Sequence, residues 1–249
     1  MALFVVLTLL ISWAFVIPAD GGLIPYGPMI AAFIVLAVVA GRRGVTGLWA
    51  QMIRWRVGWK WYVIAPGILI AVHVCALGIN LALGAEIVST AHLESLPAYL
   101  SAIVVPLLLL GGQWEEPGWM GYAQRHYQER FVHQVLLATL VVGLMRIVWH
   151  TPLLAYGTIP WYDYLFGIFA LQVIFTWLYN GSGASVLIAM IGHLFSNVMT
   201  ATVKPLFGPA HQERYWLIMT AVECLVALGL LIATRGRLGL MPSEATKRE

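Results

Sequence analysis

Eight apolar stretches of about 20 residues divide this chain, and they constrain its fold more than any other feature. They run over 2–18, 22–41, 60–83, 97–121, 134–154, 161–180, 184–204 and 213–234. Each has roughly the length of a helix that crosses a bilayer. A spanning segment must satisfy its own backbone hydrogen bonds, so all eight are expected to be helical. The expected fold is all-α, a polytopic membrane protein of about eight transmembrane helices. Composition agrees: 61% of the 249 residues are hydrophobic and 10% are charged, with mean hydropathy +0.84. A soluble domain carries about 25% charged residues.

No Lys or Arg precedes Arg42, so the basic n-region of a signal peptide is missing and 2–18 reads as a retained first helix. Basic residues set the sidedness. Arg42, Arg43, Arg54, Arg56 and Lys60 fall between spans two and three, Arg125 and Arg130 between four and five, and Arg235, Arg237, Lys247 and Arg248 after span eight. All eleven share one side when the span number is even, which predicts both termini in the cytoplasm. Lys204 and Arg214 fall on the other side with Asp20, Glu86, Glu94, Asp163 and Glu213. The net charge of +3 reflects this sidedness and gives no reason to expect nucleic acid. Residues 1–234 read as one transmembrane helical domain and 235–249 as a cytoplasmic tail, its last nine residues disordered. The stretch GLWAQMIRWRVGWKWY (47–62) suits a short interfacial helix or an ordinary basic connector. Cys75 and Cys224 fall inside spans, as buried small apolar residues.

Ionisable residues inside spans are rare and usually functional. Here they are Glu115, Glu116, Arg146, His150 and His193, with His73 and Glu223 as weaker candidates; Asn197 joins them as a strong hydrogen-bonding group. His92, His126, His133 and His211 fall in loops or at span ends and read as solvated. Spans four and five form an antiparallel hairpin whose polar turn centres near 132–133. Glu115 and His150 then each lie roughly 26 Å of helix from it, at matched depth. Position 146 falls opposite 119–120. On span seven, His193 lies roughly 14 Å from the helix start, and Asn197 follows at i+4 on the same face. Spans four, five and seven can thus gather two carboxylates, two imidazoles and an amide.

A carboxylate beside an imidazole can deprotonate water, and donors on His193 and Asn197 can hold an oxyanion. No Ser or Cys is placed as a nucleophile beside a His, so attack by water is the simpler chemistry. A zinc ion on His150, His193 and Glu115 is chemically feasible, although no H-E-x-x-H motif is present.

At these residues the chain resembles the CAAX prenyl protease and bacteriocin-processing (CPBP, or Abi) family of intramembrane proteases. The family's E-E-x-x-x-R motif, often E-E-P-G-W-R-G-Y, reads EEPGWMGY (115–122) here, followed by QERF (128–131). Its second motif, an aromatic residue, three others and His, reads GLMRIVWHTP (143–152). Its third, H-x-x-x-N, closes WLYNGSGASVLIAMIGHLFSN (177–197). The three define a motif core at 113–197. The resemblance implies that Glu115 and His150 activate water with support from Glu116, and that His193 and Asn197 stabilise the oxyanion. It implies a peptide or lipidated protein as substrate, membrane lipid as surroundings, a bacterial cell membrane as location, and metalloprotease chemistry as one mechanism argued for the family. Two positions depart from the pattern. Met120 replaces the motif arginine, and Arg146 replaces the second motif's aromatic. The expectation is that Arg146 pairs with Glu116 from the neighbouring helix. The readings are an intramembrane endopeptidase, a catalytically inactive or bacteriocin-immunity-type binding protein of the same fold, and a transporter. Against transport, no pair of broken helices is evident.

Overall fold

The computed structural model describes residues 1–14, 16, 21–131 and 134–240. The expected turn at 132–133, His133, Asp20 and the tail at 241–249 lie outside the described residues. Within them the protein is helical, with one isolated bridge between Ile87 and Phe207. Six helices are long and apolar enough to cross a membrane: α2 (Gly27–Met52), α3 (Lys60–Ala82), α4 (Leu96–Arg130), α7 (Asp163–Gly181), α8 (Val186–Leu206) and α9 (Pro209–Ala233). The chain is therefore an all-α, polytopic integral membrane protein.

The first and fifth expected spans are shorter than drawn. They are α1 (Ala2–Trp13) and α5 (Val135–Trp149), roughly 18 and 22 Å long at 1.5 Å per residue. Span five ends early because Pro152 has no N–H to donate. The chain turns at His150 (φ −81°, ψ 0°) into a short helix, α6 (Thr151–Ala155). His150 thus sits at a joint between two helices.

α4 is the irregular element. It is helical over Val105–Leu110, extended at Gly111 (ψ 167°), 3₁₀ over Gly112–Glu115 and π-helical over Trp119–Gln124. A side chain at Gly111 would come within 2.4 Å of the Leu107 carbonyl oxygen, so the break needs glycine there. Carbonyls freed by a break cannot be left bare in a membrane. Leu107 O keeps its bond from Gly111 N at 2.7 Å. Leu108 O is met by Gln113 Nε2 at 3.0 Å and Trp114 Nε1 at 2.9 Å. The unbroken span drawn over 97–121 is corrected accordingly.

The segment 47–62 is not one helix. α2 kinks at Gly41 (φ +59°) and continues to Met52. A non-helical connector follows, with Trp55 and Trp59 exposed and Arg56 lying over the Trp55 ring. Arg54 Nη1 donates to Gly183 O at 2.7 Å, which ties the connector to the α7–α8 turn. Both cysteines are free, but Cys75 is exposed and Cys224 half-buried, not buried as expected. His73, buried on α3, is bonded through Nδ1 to the Tyr215 hydroxyl of α9 at 2.6 Å, an interhelical tie. Leu238, expected in the tail, is fully buried, and its carbonyl accepts from Asn180 Nδ2 at 3.1 Å.

α8 packs against α3, and α7 packs against α5 and α9. An amide network crosses α4, α5 and α7: Gln124 Nε2 donates to Thr139 Oγ1, and Gln172 Nε2 donates to Gln124 Oε1, both at 3.2 Å. Such interhelical bonds are worth on the order of 1 kcal/mol each in a membrane. They fix α4 and α5 side by side, so the residues above them on the two helices meet.

Candidate active site

Glu116 opens the helical turn after the break in α4 and is fully buried. Two cationic or proton-bearing groups close on its carboxylate. Arg146 Nη2, from α5, donates to Oε1 at 2.7 Å and Oε2 at 2.9 Å. His193 Nδ1, from α8, lies 2.7 Å from Oε1. Trp119 and Phe175 flank the guanidinium, their ring centres 5.7 and 5.5 Å from its carbon. The expected Arg146–Glu116 pair is therefore present, and its register matches the Gln124–Thr139 contact along the same two helices. Met120 is fully buried in the apolar core. A buried ion pair adds little net stability, but removing one partner leaves an uncompensated charge and costs about 3–5 kcal/mol.

Glu115 belongs to a different arrangement. A side chain built at Gly112 would lie 2.9 Å from Glu115 Oε1 and 2.4 Å from His193 Nε2. The carboxylate and the imidazole thus converge on the space beside a glycine that leaves it open. Glu115 Oε2 has no hydrogen-bond partner. Because Glu116 is held as a carboxylate by Arg146, His193 Nδ1 carries the hydrogen between them, and Nε2 is the atom free to act. Phe175 stacks on the imidazole at 5.1 Å and fixes its plane.

The joint after α5 orients His150. Its Nδ1 is 2.8 Å from the Arg146 carbonyl oxygen. A carbonyl only accepts, so Nδ1 donates and Nε2 keeps its lone pair. Trp149 meets the ring edge-on at 4.6 Å. Glu115, His150, His193 and Asn197 all line one cavity of about 640 Å³. Glu116 and Arg146 stand behind it and do not line it. The sequence reading overlooked Gly112, whose signal was the Gly–Gly step just before the two acids. It also counted Asp163 only as a loop charge, whereas Asp163 and Glu223 both line this cavity.

The expected zinc donors were His150, His193 and Glu115. The ligand atoms that lie within 4.8 Å of one another belong instead to Glu115, Glu116 and His193. Both Glu116 oxygens already accept from Arg146, and Oε1 also accepts from His193. That leaves two free donor residues, where a catalytic zinc takes three, with a guanidinium one residue away. The set does not fit a zinc centre.

Residues 94–199 match the family model described as "Type II CAAX prenyl endopeptidase Rce1-like". The chain is also similar to CAAX prenyl protease 2 of Methanococcus maripaludis, with 29% identity over 140 residues, covering 52% of this chain and 49% of that protein. The chain thus spans about half the length of the curated relative it matches.

Proposed function

We propose, on the premise that residues 94–199 of this chain are an Rce1-like type II CAAX prenyl endopeptidase domain, that the protein is an intramembrane endopeptidase using Glu115 to activate water. The observation that carries this reading is the convergence of Glu115 Oε1 and His193 Nε2 beside Gly112, in a cavity that His150 and Asn197 also line. A water in that space donates to Glu115, while His150 Nε2 accepts its second hydrogen. Glu115 takes the proton as the water oxygen attacks the peptide carbonyl. His193, with Nδ1–H on Glu116, presents Nε2–H to the oxyanion in its doubly protonated form, and the Asn197 amide is the second donor. The C–N bond then breaks, and Glu115 returns the proton to the leaving amine. Glu116 stabilises the His193 imidazolium, and Arg146 keeps Glu116 ionised.

The Arg146–Glu116 pair supports turnover over a non-catalytic member of the same fold. Met120 was the feature that favoured loss of function, and the missing guanidinium is supplied from α5. The substrate proposed is a peptide or lipidated protein; the relative's name makes a prenylated C-terminal peptide the first to try. Around the domain at 1–234 we propose eight crossings, with α1 and α5 the shallow ones and both termini cytoplasmic. The test uses full-length protein in liposomes, a panel of prenylated and plain fluorogenic peptides, and Glu115→Ala as control. Cleavage lost in the variant supports the reading. Equal cleavage by a well-folded Glu115→Ala protein overturns it.

A further inference from the structure

A second carboxylate pair borders the same cavity. Asp163 lies at the start of α7 and Glu223 in α9. Glu223 is fully buried, and neither of its oxygens has a hydrogen-bond partner. Asp163 Oδ1 accepts from Thr220 Oγ1 at 3.0 Å. The two acids close over Gly167, where an added side chain would lie 2.1 Å from Asp163 Oδ1 and 3.5 Å from Glu223 Oε2. Among the described residues, no Lys, Arg or His pairs with either. Lys204, on the same cavity, has its Nζ 4.2 Å from the centre of the Trp216 ring.

The pair shares its cavity with the reaction site. Asn197 of α8 and Glu223 of α9 both line it, and both helices pack against α3.

We propose that Asp163 and Glu223 form a cation-recognising subsite that takes the ammonium or guanidinium of a basic side chain next to the scissile bond of a peptide. The proposal rests on the endopeptidase reading above. Unpartnered carboxylates away from water are costly to keep ionised, and an entering cation removes that cost. A Lys or Arg stem suits the apolar walls supplied by Ile168, Leu171 and Met219 while its head reaches the acids. A bound metal ion suits the pair less well, since only two residues offer ligands and Asp163 Oδ1 already accepts from Thr220.

The test compares peptides that differ only by Lys against norleucine at each position around the cleaved bond, with wild-type full-length protein in liposomes. At one position the Lys peptide should be preferred by about 30-fold in kcat/KM, the lower end for breaking a buried charge contact. Glu223→Gln and Asp163→Asn should each bring that ratio close to one. The wild-type ratio needs no variant, so a variant that fails to fold leaves the test intact. A binding arm uses Glu115→Ala protein and the same fluorescent peptides. If nothing is cleaved but the Lys peptide still binds more tightly, the endopeptidase reading fails and the cation subsite stands. If Lys and norleucine peptides are cleaved and bound equally at every position, the acids hold only a proton or a small ion, and the subsite is overturned. An unchanged ratio in folded Glu223→Gln and Asp163→Asn overturns it as well.

Discussion

Glu115–Glu116 and Asp163–Glu223 are two carboxylate pairs beside one cavity, and only the first has its counter-charge within the described protein. Glu116 accepts from Arg146 and His193, while Glu223 accepts from nothing. The difference separates two uses of a charge in a membrane. A compensated acid is a fixture: it holds a tautomer and orients an imidazole. An uncompensated acid beside a cavity is unfinished until something enters. Within the first pair the same division recurs, since Glu116 is held and Glu115 is left free to exchange a proton.

The largest expected effect breaks the free member. Glu115→Ala should lower peptide cleavage by about 10²–10⁴-fold without lowering thermal stability, measured by single-turnover assays and unfolding in the same detergent. His150→Ala should act in the same direction. Removing the counter-charge comes next. Arg146→Trp restores the motif's aromatic but strands Glu116, and should cost about 3–5 kcal/mol, seen as a lower unfolding midpoint together with lost activity. Met120→Arg added to that variant should recover both, since it returns the guanidinium to α4; a double variant no better than the single one would separate the cation from Glu116. Asn197→Ala should reduce kcat by about 10²-fold or more while KM changes little, the pattern of a donor used in the transition state. The smallest effect concerns the uncompensated pair. Glu223→Met should raise the unfolding midpoint of substrate-free protein by about 2–4 °C for each kcal/mol recovered, whereas Glu116→Met should lower it.

Much of this comparison was legible in the sequence. A helix rises by a fixed amount per residue, so depth can be counted. Counting put Arg146 opposite 119–120, about one turn from Glu116, and Asn197 one turn from His193. What counting could not see were departures from the regular rise. The break at Gly111 and the π turns after Trp119 vanish when hydropathy is averaged over 20 residues. The joint at His150 shortened span five, although Pro152 marked it. The exposure of Cys75 was also hidden, because lipid and protein core are equally apolar and a span reads the same on either face. Asp163, and its pairing with the weaker candidate Glu223, were hidden for a third reason. They lie on different helices with no shared motif, and only the packing of α7 against α9 brings them together.

The break in α4 and the lateness of its partners impose an order on how the chain is made. Arg146 lies 30 residues after Glu116, and His193 lies 77 residues after it. At a synthesis rate of 5–20 residues per second, the histidine follows the glutamate by roughly 4–15 s. During that interval α4 holds two acids and a backbone gap whose carbonyls are met by its own Gln113 and Trp114 and by Tyr26, made before it. It is poorly suited to sit alone in lipid. Its entry into the bilayer is therefore expected to wait, beside the insertion machinery or at the surface, until α5 arrives with the guanidinium, and the site to close only when α8 has followed.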